Sequence, residues 1–119
     1  MGMDVYGNEP TDEKGEYFRN NVWWWHGLAS YIEDTHPEIA AHCESWHTND
    51  GAGLNAEQSK SLAEKLRQDI ISGRVLEYKR ANYSHSFEEN NPSTWHDFSE
   101  ENVEEFADFL EHCGGFQIF

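Results

Sequence analysis

Apolar residues follow two rhythms along this chain. Met3-Asp4-Val5-Tyr6-Gly7 alternates apolar and polar and ends on glycine, as a short strand does, and Gly114-Gly115-Phe116-Gln117-Ile118-Phe119 alternates again at the other end. An isolated strand is marginal in water, so the two ends are expected to pair as a small sheet. Asn8 to Gly15 reads as loop.

Between the ends the rhythm is helical. Asn20 or Asn21 suits the cap of a first helix that stops before Pro37. Pro37 suits the first turn of a second, short helix on which Ile39, Ala40, Cys43 and Trp46 recur. Asn55-Ala56-Glu57-Gln58 has the form of a capping box, opening a third helix with Leu62, Ala63, Leu66 and Ile70 on one face and Gly73 as its stop. A weaker helix from Arg74 to Tyr83 precedes a polar loop from Ser84 to Phe98. Ser99 then caps a final helix, Glu100 to about His112, with Val103, Phe106, Ala107 and Leu110 inward and Gly114 as terminator. The expectation is a helix-dominated α+β fold, a single domain over residues 1–119, with four to five helices and a small sheet formed by the two termini.

Trp23-Trp24-Trp25 sets the phase of the first helix. Successive helical residues turn by about 100°, so three adjacent indoles cannot face one core. With Trp24 at the centre, Val22, Trp25, Leu28, Ala29, Tyr31 and Ile32 share its arc, while Trp23 falls among His26, Gly27, Ser30 and Asp34. The expected core is Trp24, Trp25, Leu28, Leu66, Phe106 and Leu110, and Trp24→Ala is expected to cost more than Trp23→Ala.

Charge narrows the partners. Among 119 residues, 23 acidic against 8 basic side chains give −15, which argues against nucleic acid or an anionic membrane held by simple charge attraction. Basic partners fit, and a surface adapted to high salt is the alternative reading. No apolar run approaches the roughly 20 residues of a membrane span, and Met1-Gly2-Met3-Asp4 lacks signal-peptide features, so the expected location is the cytoplasm. Two cysteines, Cys43 and Cys113, make no disulfide framework and are expected to be reduced thiols.

Three constellations carry candidate chemistry. On the last helix, Glu100, Glu101, Glu104, Glu105, Asp108 and Glu111 share one arc that no basic residue of that helix interrupts. Like charges three and four apart cost a few tenths of a kcal/mol per pair, so the stripe is either a solvated face or a docking surface for a basic partner. Cys43, His47 and Asp50 are zinc-type ligands, but a closed site needs four, and no Cys-x-x-Cys or His-Glu-x-x-His is present. Around Asn49-Asp50-Gly51 a calcium loop fails, because Trp46 occupies the first ligand position. The same glycine-rich turn, followed by a helix start, offers backbone amides to an anionic group, with Arg19, Asn20 and His47 to complete a pocket and Trp23 as an aromatic wall. An ordinary turn before a capped helix is the alternative. Nucleophilic catalysis has little support, since no serine sits in a Gly-x-Ser-x-Gly elbow, and His112 suits a helix C-terminus as a favourable cation. No cofactor or metal is expected, and the reading leans away from an enzyme.

Four stretches together, Met1–Gly7, Gly15–Trp25, Trp46–Leu54 and Glu101-Asn102-Val103 through Cys113-Gly114-Gly115-Phe116, resemble a family of small bacteriophage and bacterial proteins across most of the chain. The resemblance implies no catalytic residue, because the family has no assigned activity. Some members carry a cysteine-rich insertion where this chain has Ser84–Phe98, so no metal site of theirs transfers. A phage-like origin implies action by binding. The leading expectation is a non-enzymatic acidic protein that engages and inhibits a basic host protein through Glu100, Glu101, Glu104, Glu105, Asp108 and Glu111. The alternative is sequestration of a small polar or nucleotide-like ligand by Arg19, Asn20, Trp23, His47, Asn49, Asp50 and Gly51.

Overall fold

Strand β1 (Gly2–Gly7) is the centre of an antiparallel sheet in the order β2-β1-β3, with β2 at Tyr17–Asn21 and β3 at Phe116–Ile118. The computed structural model describes residues 2–88 and 98–119. Val5 is opposite Phe18 on one side and Ile118 on the other, so alternate residues turn Met3, Val5, Phe18, Phe116 and Ile118 into the core. The pairing of the two chain ends is as the alternation indicated. β2 was not expected. It has one inward apolar residue, Phe18, and its other inward residue is Asn20, so its alternation is nearly silent.

Helix α1 (Val22–Thr35) starts where the Asn21 side chain accepts the Trp24 backbone N–H at 3.0 Å. Pro37 opens α2 (Pro37–Ala40), which ends well before Cys43 and Trp46. The Trp46 indole N–H donates to the Ala40 carbonyl at 3.1 Å, so the ring folds back over the helix end instead of extending it. The capping box at Asn55 is complete in both directions and opens α3 (Ala56–Ser72), and Gly73 stops it at φ 83°, a conformation L side chains resist. Helix α4 (Arg74–Glu88) runs further than the hydrophobic spacing indicated and includes Ser84 to Glu88, which had read as loop. Of the remainder of that expected loop, residues 89–97 lie outside the described residues, and Phe98 is buried in the core. Ser99 caps α5 (Glu100–His112) by accepting the Asn102 N–H at 3.1 Å, as its sequence indicated. A short 3-10 helix at Glu13–Gly15, capped by Asp12, closes the stretch that had read as loop. Among the described residues the fold is thus an α+β domain of five α-helices, this 3-10 turn and one sheet.

The core lies between the sheet's inner face and helices α1, α3 and α5. Phe106 sits at its centre, 5.0 Å from the Phe18 ring and 5.5 Å edge-on to Trp25. Trp25, Leu28, Leu66, Phe106 and Leu110 are fully buried. Trp24 is not among them: it is half-buried, and the buried arc of α1 centres on Trp25, Leu28, Ala29 and Ile32. The expected phase was therefore off by about one residue. Trp23, 69% exposed, is the indole left outside, as the spacing required.

Candidate functional site

The residues singled out in the sequence occupy several places. Arg19 is on the sheet's outer face, where its Nε is 3.3 Å from Asp4 Oδ1. Asn20 points the other way, and its amide pairs reciprocally with that of Asn102 on α5, both hydrogen bonds 2.9 Å. It fastens the sheet to α5. Trp23 is on the exposed side of α1. One turn further on, His26 Nδ1 lies 2.6 Å from His47 Nδ1, and His47 Nε2 is 2.5 Å from Glu33. Trp23 and His47 thus share a side of α1, linked by His26 and Glu33, which the sequence reading did not single out although they recur at helical spacing after Trp23.

Asn49 and Asp50 are exposed. Gly51 begins a segment that extends the sheet: its N–H donates to Ile118, the Ile118 N–H to Ala52, each at 2.8 Å, and the Phe116 N–H to Leu54 at 2.9 Å. Since β1 and β3 lie between this segment and β2, Arg19 and Gly51 stand at opposite margins of the sheet, roughly 14 Å apart at ordinary strand spacing. Between them, on the outer face, is a row of rings that the sequence reading also missed. Tyr17, Tyr6 and Phe119 are 46%, 47% and 47% exposed, with centroids 5.2 Å and 6.1 Å apart in turn. The signal was available: if Val5 and Ile118 face inward, Tyr6, Gln117 and Phe119 must face outward.

On α5 the acidic stripe divides. Arg67 of α3 reaches across to Asp108 at 2.6 Å and Glu111 at 2.8 Å, and this pair of carboxylates holds its guanidinium charged, raising its already high pKa, the Asp108 hydrogen bond first. The stripe lacks a basic residue within its helix, but a neighbouring helix supplies one. Glu101, Glu104 and Glu105 remain exposed, and Glu100 half-exposed. Glu101 and Glu105 border a groove of about 230 Å³ with Trp24, Asn20, Ser99 and Asn102.

A fourth cluster is buried. Asp69 Oδ2 accepts from the Tyr31 hydroxyl at 2.7 Å and from His36 Nε2 at 2.6 Å, with Arg74 3.7 Å from its other oxygen. Burial, with the Asp69 hydrogen bond second, pushes the Tyr31 phenol far above its ordinary range, so it stays a donor. Tyr31, at the end of α1's buried arc, and Asp69, near the end of α3, thereby lock two helices together; His36 also borders an open cleft of about 580 Å³ with Lys65 and Ile71.

The thiols are poor nucleophiles. Burial raises Cys43 to about 11 and raises Cys113 as well, so neither is a thiolate near neutrality. Cys43 and His47 do not share a helix turn, because α2 ends at Ala40. No group of three or more His, Cys, Asp and Glu side chains among the described residues is arranged to hold a metal ion. No helix among them is long and apolar enough to cross a membrane. Comparison with protein-family models gives no match, and neither the curated proteins nor the solved structures give one.

Proposed function

We propose that this chain is a non-enzymatic, acidic binding protein of phage type that engages and inhibits a basic protein of its host through the exposed part of α5. The observation that carries the reading is the groove that Glu101 and Glu105 line together with Trp24. Two carboxylates on the wall of one groove suit an arginine or lysine side chain, with which both acids can pair. The helix dipole stabilises Glu100 and Glu101 in the first turn, but its effect fades beyond that turn, and Glu104 and Glu105, one turn further on, are repelled by Glu100 and Glu101, a repulsion that a bound cation relieves. The net charge of −15 speeds encounter with such a partner and keeps polyanions away.

The test compares two double variants of equal charge, Glu101→Lys with Glu105→Lys, and Glu44→Lys with Glu77→Lys. Titration with a nona-arginine peptide by calorimetry is expected to show at least a ten-fold loss for the first and under three-fold for the second. Equal losses would mean that overall charge, not this groove, selects the partner.

A further inference from the structure

We propose that the outer face of the sheet is a separate binding site, a stacking platform for one flat heteroaromatic ring that carries a single anionic group, as a nucleoside monophosphate does. The face is built from alternate residues of three strands. Tyr6 is opposite Tyr17 and Gln117, and Asp4 is opposite Arg19, so Tyr17, Tyr6 and Phe119 form a continuous row with Arg19 beside its Tyr17 end. Each ring leaves nearly half its surface to solvent. Together they expose about 300 Å², if a full ring side chain carries 150–250 Å², which is as large as the biggest apolar patch of an ordinary monomer.

The rings are held in place before any ligand arrives. Tyr17 donates its hydroxyl to Asp4, and Tyr6 is wedged between its two neighbours. Phe119 lies over Gly51, where a β-carbon would stand 3.4 Å from the ring edge. Arg19 lies flat across the start of β1 because Gly2 has no β-carbon; one built there would meet the guanidinium at 2.5 Å.

Charge selects the occupant. The carboxylate nearest the rings, Asp4, is already engaged by Arg19 and by Tyr17, so it offers little to an incoming cation. The remaining donors of Arg19, whose side chain is 52% exposed, face an anion instead. At the opposite margin the exposed Asp50, next to Gly51, repels an anion, which orients the ligand with its charged end toward Arg19. Tyr17 and Arg19 are two residues apart on one strand, about 7 Å, comparable to the reach from base to phosphate in one mononucleotide. A chain of such groups is excluded, because −15 on the protein repels a polyanion. The site shares no residue with the α5 groove.

Adenosine 5′-monophosphate and adenosine are the probes, followed by NMR of the aromatic ring resonances of the intact chain. The expected result is a shift of Tyr6, Tyr17 and Phe119 with the monophosphate at millimolar concentration and at least three-fold weaker binding of adenosine. Arg19→Gln is expected to erase that preference and leave adenosine binding unchanged, and Tyr6→Leu to weaken both ligands at least ten-fold. Should Tyr6→Leu melt early, Phe119→Leu makes the same test from the other end of the row. The Glu101→Lys, Glu105→Lys variant is expected to bind the monophosphate as the parent does, which separates this site from the α5 reading. The proposal is overturned if the three rings do not shift, if the shifts centre on Trp24, or if nona-arginine perturbs the same rings, which would assign the face to a basic partner.

Discussion

The outer face of the sheet and the exposed side of α5 are both polar in sequence, yet they present opposite chemistry. On the sheet, the Asp4 carboxylate is drawn into an ion pair with Arg19 and the rings are shown. On α5 the rings of Phe106 and Phe109 are hidden and the carboxylates are shown. Backbone geometry makes the difference. A strand gives every second residue to solvent, so a three-strand sheet collects side chains from distant parts of the chain on one face. A helix exposes a stripe drawn from its own thirteen residues, and here that stripe is acidic from end to end.

Both faces rest on the same core, and its removal is expected to have the largest effect. Trp25→Ala should cost about 3–5 kcal/mol, the usual penalty for emptying a buried aromatic site. Trp23→Ala, at 69% exposure, should cost under about 1 kcal/mol and Trp24→Ala an intermediate amount. Urea denaturation midpoints check the order, and an equal loss for Trp23 and Trp25 would refute the assigned side of α1.

The two faces are joined by the Asn20–Asn102 amide pair. Asn102→Ala leaves the Asn20 amide partly buried without its partner, for a cost of about 1–3 kcal/mol. The coupling is specific if Asn20→Ala with Asn102→Ala costs clearly less than the two single changes together in a double-mutant cycle.

A smaller effect concerns pH. Burial lowers the His26 pKa, with the charge of His47 as second cause. The unfolded chain then binds the proton more readily than the folded one. Stability therefore falls as pH drops through the ordinary histidine value near 6.5 toward the lowered one, and is fully present above that window. His26→Gln should flatten this part of the stability curve measured by thermal melts from neutral to mildly acidic pH; an unchanged slope would assign it to other groups.

The smallest expected change in stability is that of Arg67→Gln. Its ion pairs with Asp108 and Glu111 are partly exposed, so the cost should be about 0.2–1 kcal/mol and less in high salt. The same variant restores the unbroken acidic stripe and should tighten binding of nona-arginine, by calorimetry, if the whole of α5 serves the partner. If affinity is unchanged, only the Trp24 end of the helix matters.

Much of this was legible in the residues. The caps at Asn55 and Ser99 and the stop at Gly73 act within a few residues of themselves, so their chemistry reads directly from the chain, and the cap of α1 was narrowed to Asn20 or Asn21, of which Asn21 serves. The alternation at both ends determined which strand residues face inward, and the spacing of three indoles required that one, Trp23, stay outside. Other features depended on partners far away in sequence. β2 owes its place to backbone pairing with β1 and to Asn102, not to apolar residues of its own. Arg67 breaks the acidic stripe from another helix, 41 positions before Asp108. Trp24 and Trp25 differ by one helical step, and which of them fills the core was decided by the distant rings of Trp46 and Phe106 that pack on Trp25. The row of Tyr17, Tyr6 and Phe119 exists only once β1 lies between the other two strands. Local rules act through neighbouring backbone groups and leave their mark in the sequence, whereas register, the choice of core residue and ion pairing between elements are set by long-range packing.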